Sequence, residues 1–207
     1  MDKDKTKILL AEGDRDLAAA VEVSLKRLGY DVTYTYDGVL AITAFTEKKF
    51  DLLILGGDVS RINASEVAEL FSVKCGAPVL LLIKNRIKNY DPLNENFGFA
   101  AFLTLPFTTE NLVAEVSRAI ASQKEEDLSV DGVTISFKRA KLIFNGNSQN
   151  VSLTEADLLK EVAKGEDVKG DSLSSFPKMT AINKKLTLLG AKIYIKKTTK
   201  GYEIAYD

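Results

Sequence analysis

The chain has 207 residues, 45% hydrophobic and 28% charged, with a formal net charge of −1; this is the balance of one or two globular domains, and it excludes wholesale disorder, a collagen-like repeat and a coiled-coil rod. It contains no histidine and one cysteine, Cys75, which excludes an internal disulfide, a cysteine-based zinc site, imidazole metal ligands and every Ser-His or Cys-His catalytic device. The charge is uneven: residues 1–126 carry 15 basic against 19 acidic side chains, residues 127–207 carry 13 against 10, and 178–207 alone holds seven lysines against Glu203 and Asp207, which points to two domains with different partners.

In chain order, the polar start Met1–Lys5 runs into Lys7–Ala11, a short apolar strand. That start, and the lack of any 18-residue apolar run, imply a cytoplasmic protein with no signal peptide and no membrane contact. Leu17, Val21, Leu25 and Leu28 recur at helical spacing. A strand over Asp31–Thr35 and a helix over Gly38–Phe45 follow, then a continuous apolar strand, Asp51–Leu55, ending in Gly56-Gly57. Asn63 opens a helix with Glu66 three residues on, a variant of the capping box. Val79–Leu82 is another buried strand, and residues 84–98 a loop with a weak helix near Pro92–Phe97. Phe102–Thr104 is a fifth strand, and Leu112, Val113, Val116, Ala119 and Ile120 mark a final amphipathic helix capped by Thr108. Cys75, at the end of an amphipathic helix, reads as a small buried hydrophobe. Five strands alternating with five helices predict an α/β fold, a doubly wound five-stranded parallel sheet over 1–121, with its ligand site outside the carboxyl ends of the strands.

A polar linker spans 122–128, and from 129 to 207 the pattern changes to a small α+β domain. Val133–Phe137 and Lys141–Phe144 are short strands, Asn145-Gly146-Asn147 a hairpin turn, and Val151–Leu153 a closing strand. Thr154 caps a helix with Leu158, Leu159 and Val162 on one face. After a polar stretch at 165–175, Met179, Ile182, Leu186 and Leu189 form a helical stripe ended by Gly190. Ile193–Ile195 and Tyr202–Ile204 are strands joined by a Lys- and Thr-rich turn.

The runs Lys7–Asp14, Asp51–Leu55, Pro78-Val79 and Phe102–Phe107 resemble, in order and spacing, the landmarks of a response-regulator receiver domain. Val151–Leu159 and Gly201-Tyr202 resemble the winged-helix effector domain of the OmpR/PhoB-type regulators. The resemblance implies an aspartate nucleophile at the end of the third strand, two acids after the first strand that help hold Mg²⁺, a hydroxyl after the fourth strand and a lysine after the fifth. This chain departs at each place. The acid pair reads Glu12-Gly13, the acceptor position Gly56, the hydroxyl position Ile83, the lysine position Leu105 and the switch aromatic Phe102. Glycine is no nucleophile, and isoleucine and leucine bind no phosphate, so the expectation is an apolar pocket with Glu12 exposed at its rim and no cognate kinase. Asp58, two residues past Gly56, is the alternative acceptor, without the Lys and Thr partners an acyl phosphate needs. Asp14 and Asp16 read as helix N-terminal residues.

In the winged-helix resemblance the last helix, about Met179–Leu189, enters the major groove and the wing, about Lys196–Gly201, meets flanking phosphates. Its candidate contacts to double-stranded DNA are Thr180, Asn183, Lys184, Lys185 and Thr187 on the helix and Lys196, Lys197 and Lys200 on the wing. The chain has no arginine after Arg139, so charge outweighs base discrimination. Five lysines each neutralising one phosphate predict a salt slope of about −4.5. The family's dimer face, the fourth helix, fifth strand and fifth helix, reads Ala100-Ala101 for paired acids, with Glu115 and Ser117 at positions of paired basic residues. A homodimer there is expected to be more apolar, through Phe97, Phe99 and Ala100 beside Glu115.

The expectation is a phosphorylation-independent transcription regulator, neither an enzyme nor a protein with a metal or cofactor. The alternative is a protein-interaction adaptor that docks a protein partner through the receiver-like domain and binds no DNA. A third is an enzyme or small-molecule sensor using the pocket near Gly13, Gly56 and Leu105, without a nucleophile–base pair to support catalysis.

Overall fold

The computed structural model describes residues 5–84, 99–138, 140–164, 172–199 and 201–206, the side chains of 172–177 and 201 excepted. The described residues form two compact units, one up to Lys124 and one from Glu125. Among them no helix is long and apolar enough to cross a membrane.

The first unit holds β1 (Lys7–Ala11), α1 (Arg15–Arg27), β2 (Asp31–Thr35), α2 (Gly38–Glu47), β3 (Leu52–Gly56), α3 (Ala64–Cys75), β4 (Val79–Ile83), β5 (Ala101–Thr104) and α4 (Thr109–Ser122). The strands form one parallel sheet in the order β2-β1-β3-β4-β5, the doubly wound arrangement expected. The expected helix near 92–97 lies outside the described residues. β3 and β4 are buried along their whole length, as parallel strands covered on both faces must be. Leu53, Leu55, Val79 and Leu81 pack with Phe45, Val67 and Phe71 on one side of the sheet, and Phe45 meets Phe71 edge to face with centroids 5.5 Å apart. Cys75 packs at the margin of this cluster, half-buried. The helix starts are set locally. Asp14, Asp37, Asn63 and Thr108 each accept a backbone N–H from the first turn of α1, α2, α3 and α4, a contribution of about 1 kcal/mol apiece. At α3 the side chain of Asn63 accepts from the N–H of Ser65 at 3.1 Å.

The second unit begins with an antiparallel sheet of β6 (Leu128–Val130), β7 (Val133–Ser136), β8 (Lys141–Phe144) and β9 (Asn147–Asn150) in sequential order. Asn145 and Gly146, at φ 49° and 82°, supply the two left-handed residues that a tight β8–β9 hairpin requires. The closing strand is therefore 147–150 and not 151–153; Leu153 already opens α5 (Leu153–Ala163). The cap of α5 is Ser152 and not Thr154. Ser152 Oγ accepts the N–H of Glu155 at 3.2 Å and Glu155 Oε2 accepts the N–H of Ser152 at 2.7 Å, a reciprocal capping box. α6 (Ser172–Leu189) begins earlier than the apolar stripe suggested, and β10 (Ile193–Thr198) pairs antiparallel with β11 (Gly201–Tyr206). Met179, Ile182, Leu186 and Leu189 of α6 enter a core with Val133, Ile135, Leu142, Leu159, Ile193 and Ile195. This is the sheet–helix–hairpin order expected of a winged-helix unit.

Candidate functional sites

The strand ends of the first unit bring together residues at or beside the positions that the receiver resemblance assigns to phosphoryl transfer. Glu12 follows β1, Gly56 ends β3 and Lys84 follows β4, and these three strands are neighbours in the sheet. Glu12 is 1% exposed, so it is not the exposed remnant expected. Its Oε1 accepts the N–H of Asp14 at 2.8 Å and pairs with Lys84 Nζ at 2.9 Å. Its backbone carbonyl accepts the Tyr34 hydroxyl at 3.1 Å. Its Oε2 is buried with no hydrogen-bond partner. Lys84 Nζ also lies 3.6 Å from Asp14 Oδ2.

The carboxyl group of Glu12 covers Gly56. A Cβ added at Gly56 would meet Glu12 Cδ at 2.9 Å and Oε1 at 3.3 Å, closer than such atoms pack. The absence of a side chain at the acceptor position is what admits the glutamate. Asp58, the alternative acceptor, is exposed beyond Gly57 and acts on Lys84 through space. Burial pulls the Lys84 ammonium down, but its bond to Glu12 and the attraction of Glu12, Asp14 and Asp58 outweigh that and hold it above the ordinary lysine range. Asp14 is held below the ordinary carboxylate range, first by the N–H of Leu17 and, against some desolvation, by Lys84 and the N–H of Asp16.

The expected apolar pocket is therefore corrected. Ile83 is buried in the core, Phe102 stacks edge to face on Phe99 with centroids 5.9 Å apart, and Leu105 is half-buried. The centre at the ends of β1, β3 and β4 is instead an ion pair. Gly13 is exposed. The Mg²⁺ implied by the receiver resemblance does not fit this donor set while Lys84 stands in it: an ammonium is already against Glu12 and Asp14, and Gly13 and Gly56 add no carboxylate to compete with it. Among the described residues no group of three or more His, Cys, Asp or Glu side chains is arranged to hold a metal. Lys84 was missed in the sequence. Its signal was the loss of lysine at Leu105 together with a lysine one residue past Ile83.

The predicted dimer residues fare differently. Phe99 and Ala100 are 4% and 1% exposed, so they belong to the core of the first unit and offer no surface. Glu115 pairs with Arg118 at 3.8 Å, one turn on along α4. Phe97 lies outside the described residues.

In the second unit the predicted DNA contacts separate into two groups. Lys185 is buried, and its Nζ donates to Glu155 Oε1 and Oε2 at 3.0 and 2.8 Å; it ties α6 to the capping box of α5 and cannot reach a base. Asn183 is also engaged. Its Nδ2 donates to the carbonyl of Ile195 at 2.8 Å and its Oδ1 accepts the N–H of Ile195 at 2.7 Å, so α6 grips the backbone of β10. Asn183 thus makes with its own chain the bidentate contact assigned to adenine. Thr180, Lys184 and Thr187 lie on one exposed stripe of α6, with Thr187 Oγ1 donating back to the carbonyl of Asn183 at 3.0 Å. Lys196 and Lys197 are exposed on β10, and Lys192 is exposed just before it. Lys200 lies outside the described residues. Leu188, also on α6, is 64% exposed.

No family model matches the chain. Over 164 residues it is 27% identical to the response regulator ArlR of Staphylococcus epidermidis, a match covering 78% of this chain and 74% of that protein; ArlR of Staphylococcus aureus matches to the same extent. Among solved structures, a mutant of RitR superposes on 98% of this chain and 100% of its own length with a TM-score of 0.70 at 19% identity. A two-component response regulator from Clostridium difficile superposes on 58% of this chain and 100% of its own, with a TM-score of 0.53 at 22% identity. At those identities the structural likenesses show the fold. The sequence match extends beyond the first unit, since 78% of the chain exceeds that unit's length.

Proposed function

We propose that this chain, a sequence relative of the response regulators with their receiver-like and winged-helix fold, is a DNA-binding transcription regulator that works without phosphorylation. The observation that carries the second part is the Glu12 carboxylate over Gly56. A phosphoryl group needs an aspartate side chain to accept it, and the space for that side chain is taken. On this reading residues 1–121 form the receiver-like domain and 129–207 the DNA-binding domain. DNA is met by Lys184 and Thr187, with Thr180 on the same stripe of α6, and by Lys192, Lys196 and Lys197 around β10. Each of these side chains is exposed, and the lysines of β10 with Thr198 and Thr199 after them make a polar run that suits phosphate contact. Asn183 and Lys185 hold the reading helix in place.

Fluorescence anisotropy of the full chain on genomic and random duplexes, across a salt series, tests the first part. With Lys184, Lys192, Lys196 and Lys197 each neutralising one phosphate, log affinity falls against log salt with a slope of about −3.6. Absence of binding at low salt overturns it and leaves the adaptor reading. Incubation with acetyl phosphate and Mg²⁺, read by intact-protein mass, tests the second part: no mass is gained, and a labile phosphoryl adduct overturns it. Dimerisation belongs to this reading as well, through a surface other than Phe99 and Ala100; light scattering that returns a monomer at tens of micromolar protein removes it.

A further inference from the structure

We propose that the Lys84 ammonium, held between Glu12 and Asp14, takes the place of the divalent cation that a receiver pocket uses, while the Glu12 carboxylate takes the place of the acceptor carboxylate at Gly56. The pocket is thereby closed by the chain's own charges. This stands whether or not the second unit binds DNA.

Three observations converge. The first is position: Glu12 and Gly56 sit at the ends of β1 and β3, where the resemblance puts a metal ligand and the acceptor, and Lys84 follows β4, which lies beside β3. The second is occupancy. The Glu12 side chain reaches across from β1 and fills the volume above Gly56, with Oε2 buried and unpartnered. A carboxylate buried in this way is costly without a cation close by. The third is charge. Glu12, Asp14 and Asp58 bring three carboxylates to the rim and floor of the pocket, and the cation among the described residues that meets all three, two by contact and Asp58 through space, is Lys84. A metal would supply that charge from solution and leave with dilution or chelation. A lysine supplies it covalently tethered, so the geometry of the β1–α1 turn is fixed at all metal concentrations. The lysine that the family places after the fifth strand to meet phosphoryl oxygens is Leu105 here; the positive charge has moved to the fourth strand, where it meets carboxylates instead. No phosphoryl group is then required to neutralise anything.

The test is thermal melting of the full chain in millimolar MgCl₂ against KCl of equal ionic strength, for the wild type and for Lys84→Met, which keeps length and removes charge. The wild-type melting temperature is expected to be the same in both salts. Lys84→Met is expected to melt on the order of 5 °C lower in KCl and to recover at least half of that loss in MgCl₂, since Mg²⁺ binds through one or two carboxylates while keeping several waters. Stabilisation of the wild type by Mg²⁺ overturns the proposal. So does an unchanged melting temperature in Lys84→Met, or a loss that Mg²⁺ leaves untouched. Should Lys84→Met not fold, the wild type decides: the Lys84 ¹⁵Nζ resonance, assigned by its absence in Lys84→Arg, is expected to stay in place through a MgCl₂ titration, and a saturable shift or broadening overturns the proposal.

Discussion

Among the described residues each unit buries a glutamate against a lysine, and the two pairs differ in how completely they are satisfied. Glu155, 1% exposed, accepts from Lys185 through both oxygens and from the N–H of Ser152, and Lys185 is itself buried. Glu12, equally buried, gives one oxygen to Lys84 and to the N–H of Asp14 and leaves the other without a partner, while the Lys84 side chain is 31% exposed. The first arrangement is what a scaffold requires: both oxygens are hydrogen-bonded, and two helices are pinned. The second keeps an unsatisfied oxygen and a half-wet cation at the mouth of a strand-end pocket, which is where this fold does its chemistry. Identical residue pairs can thus be a rivet in one place and a rebuilt site in another, and the partner list separates them where residue identity does not.

Substitutions sharpen that contrast. The largest effect is expected at Lys185. Lys185→Met leaves Glu155 buried without its cation and costs about 3–5 kcal/mol of stability, read by chemical denaturation, while Lys184→Met, one residue along and exposed, changes stability by less than about 0.5 kcal/mol and weakens DNA binding instead. Equal costs at the two lysines would break the division of α6 into structural and reading faces. Next is the Glu12–Gly56 contact. Gly56→Ala costs about 1–3 kcal/mol, and much of that loss disappears in a Glu12→Ala background, so a double-mutant cycle returns strong coupling; simple additivity would mean that the two positions do not share space. Asn183→Ala, which frees the N–H and carbonyl of Ile195, costs about 1–3 kcal/mol and lowers DNA affinity with little change in salt slope, because no phosphate contact is lost. The smallest effect is in pH. Because Lys84 is held above its ordinary value of about 10.4, its stabilisation is fully present below that pH and is lost as pH rises through the higher folded value. The difference in melting temperature between wild type and Lys84→Met should therefore be flat through neutral pH and narrow only in strong alkali.

Much of this was legible in the chain. The continuous apolar runs at Leu52–Leu55 and Val79–Ile83 marked a parallel sheet, because only strands covered on both faces dispense with alternation. The empty acceptor position was legible too, as Gly56. What filled it was not. Glu12 and Lys84 lie 72 residues apart in the sequence, and no local pattern says that one side chain will bend over a glycine to meet the other. Lys185 carried a readable sign that was passed over: it stands three residues after Ile182 and four before Leu189, on the margin of the buried stripe, where a charged residue needs a partner. Ser152-Leu153-Thr154-Glu155 likewise spells a capping box, hidden by the nearer candidate Thr154. Phe99 and Ala100 were assigned to a surface because the resemblance put a dimer face there, and the apolar character offered as adhesive is simply that of the core.

The glutamate over Gly56 also bears on history. Restoring an aspartate at position 56 is a one-residue change on paper, yet it would push a second acid into volume that Glu12 already fills, next to an oxygen that has no donor to spare. The first step back toward phosphoryl chemistry therefore displaces the Glu12 carboxyl unless residue 12 shortens beforehand, and shortening residue 12 takes from Lys84 its partner at 2.9 Å and leaves it Asp14 at 3.6 Å. Each reversal disturbs another, so positions 12, 56 and 84 are tied together, and a change at any one of them is felt at the other two.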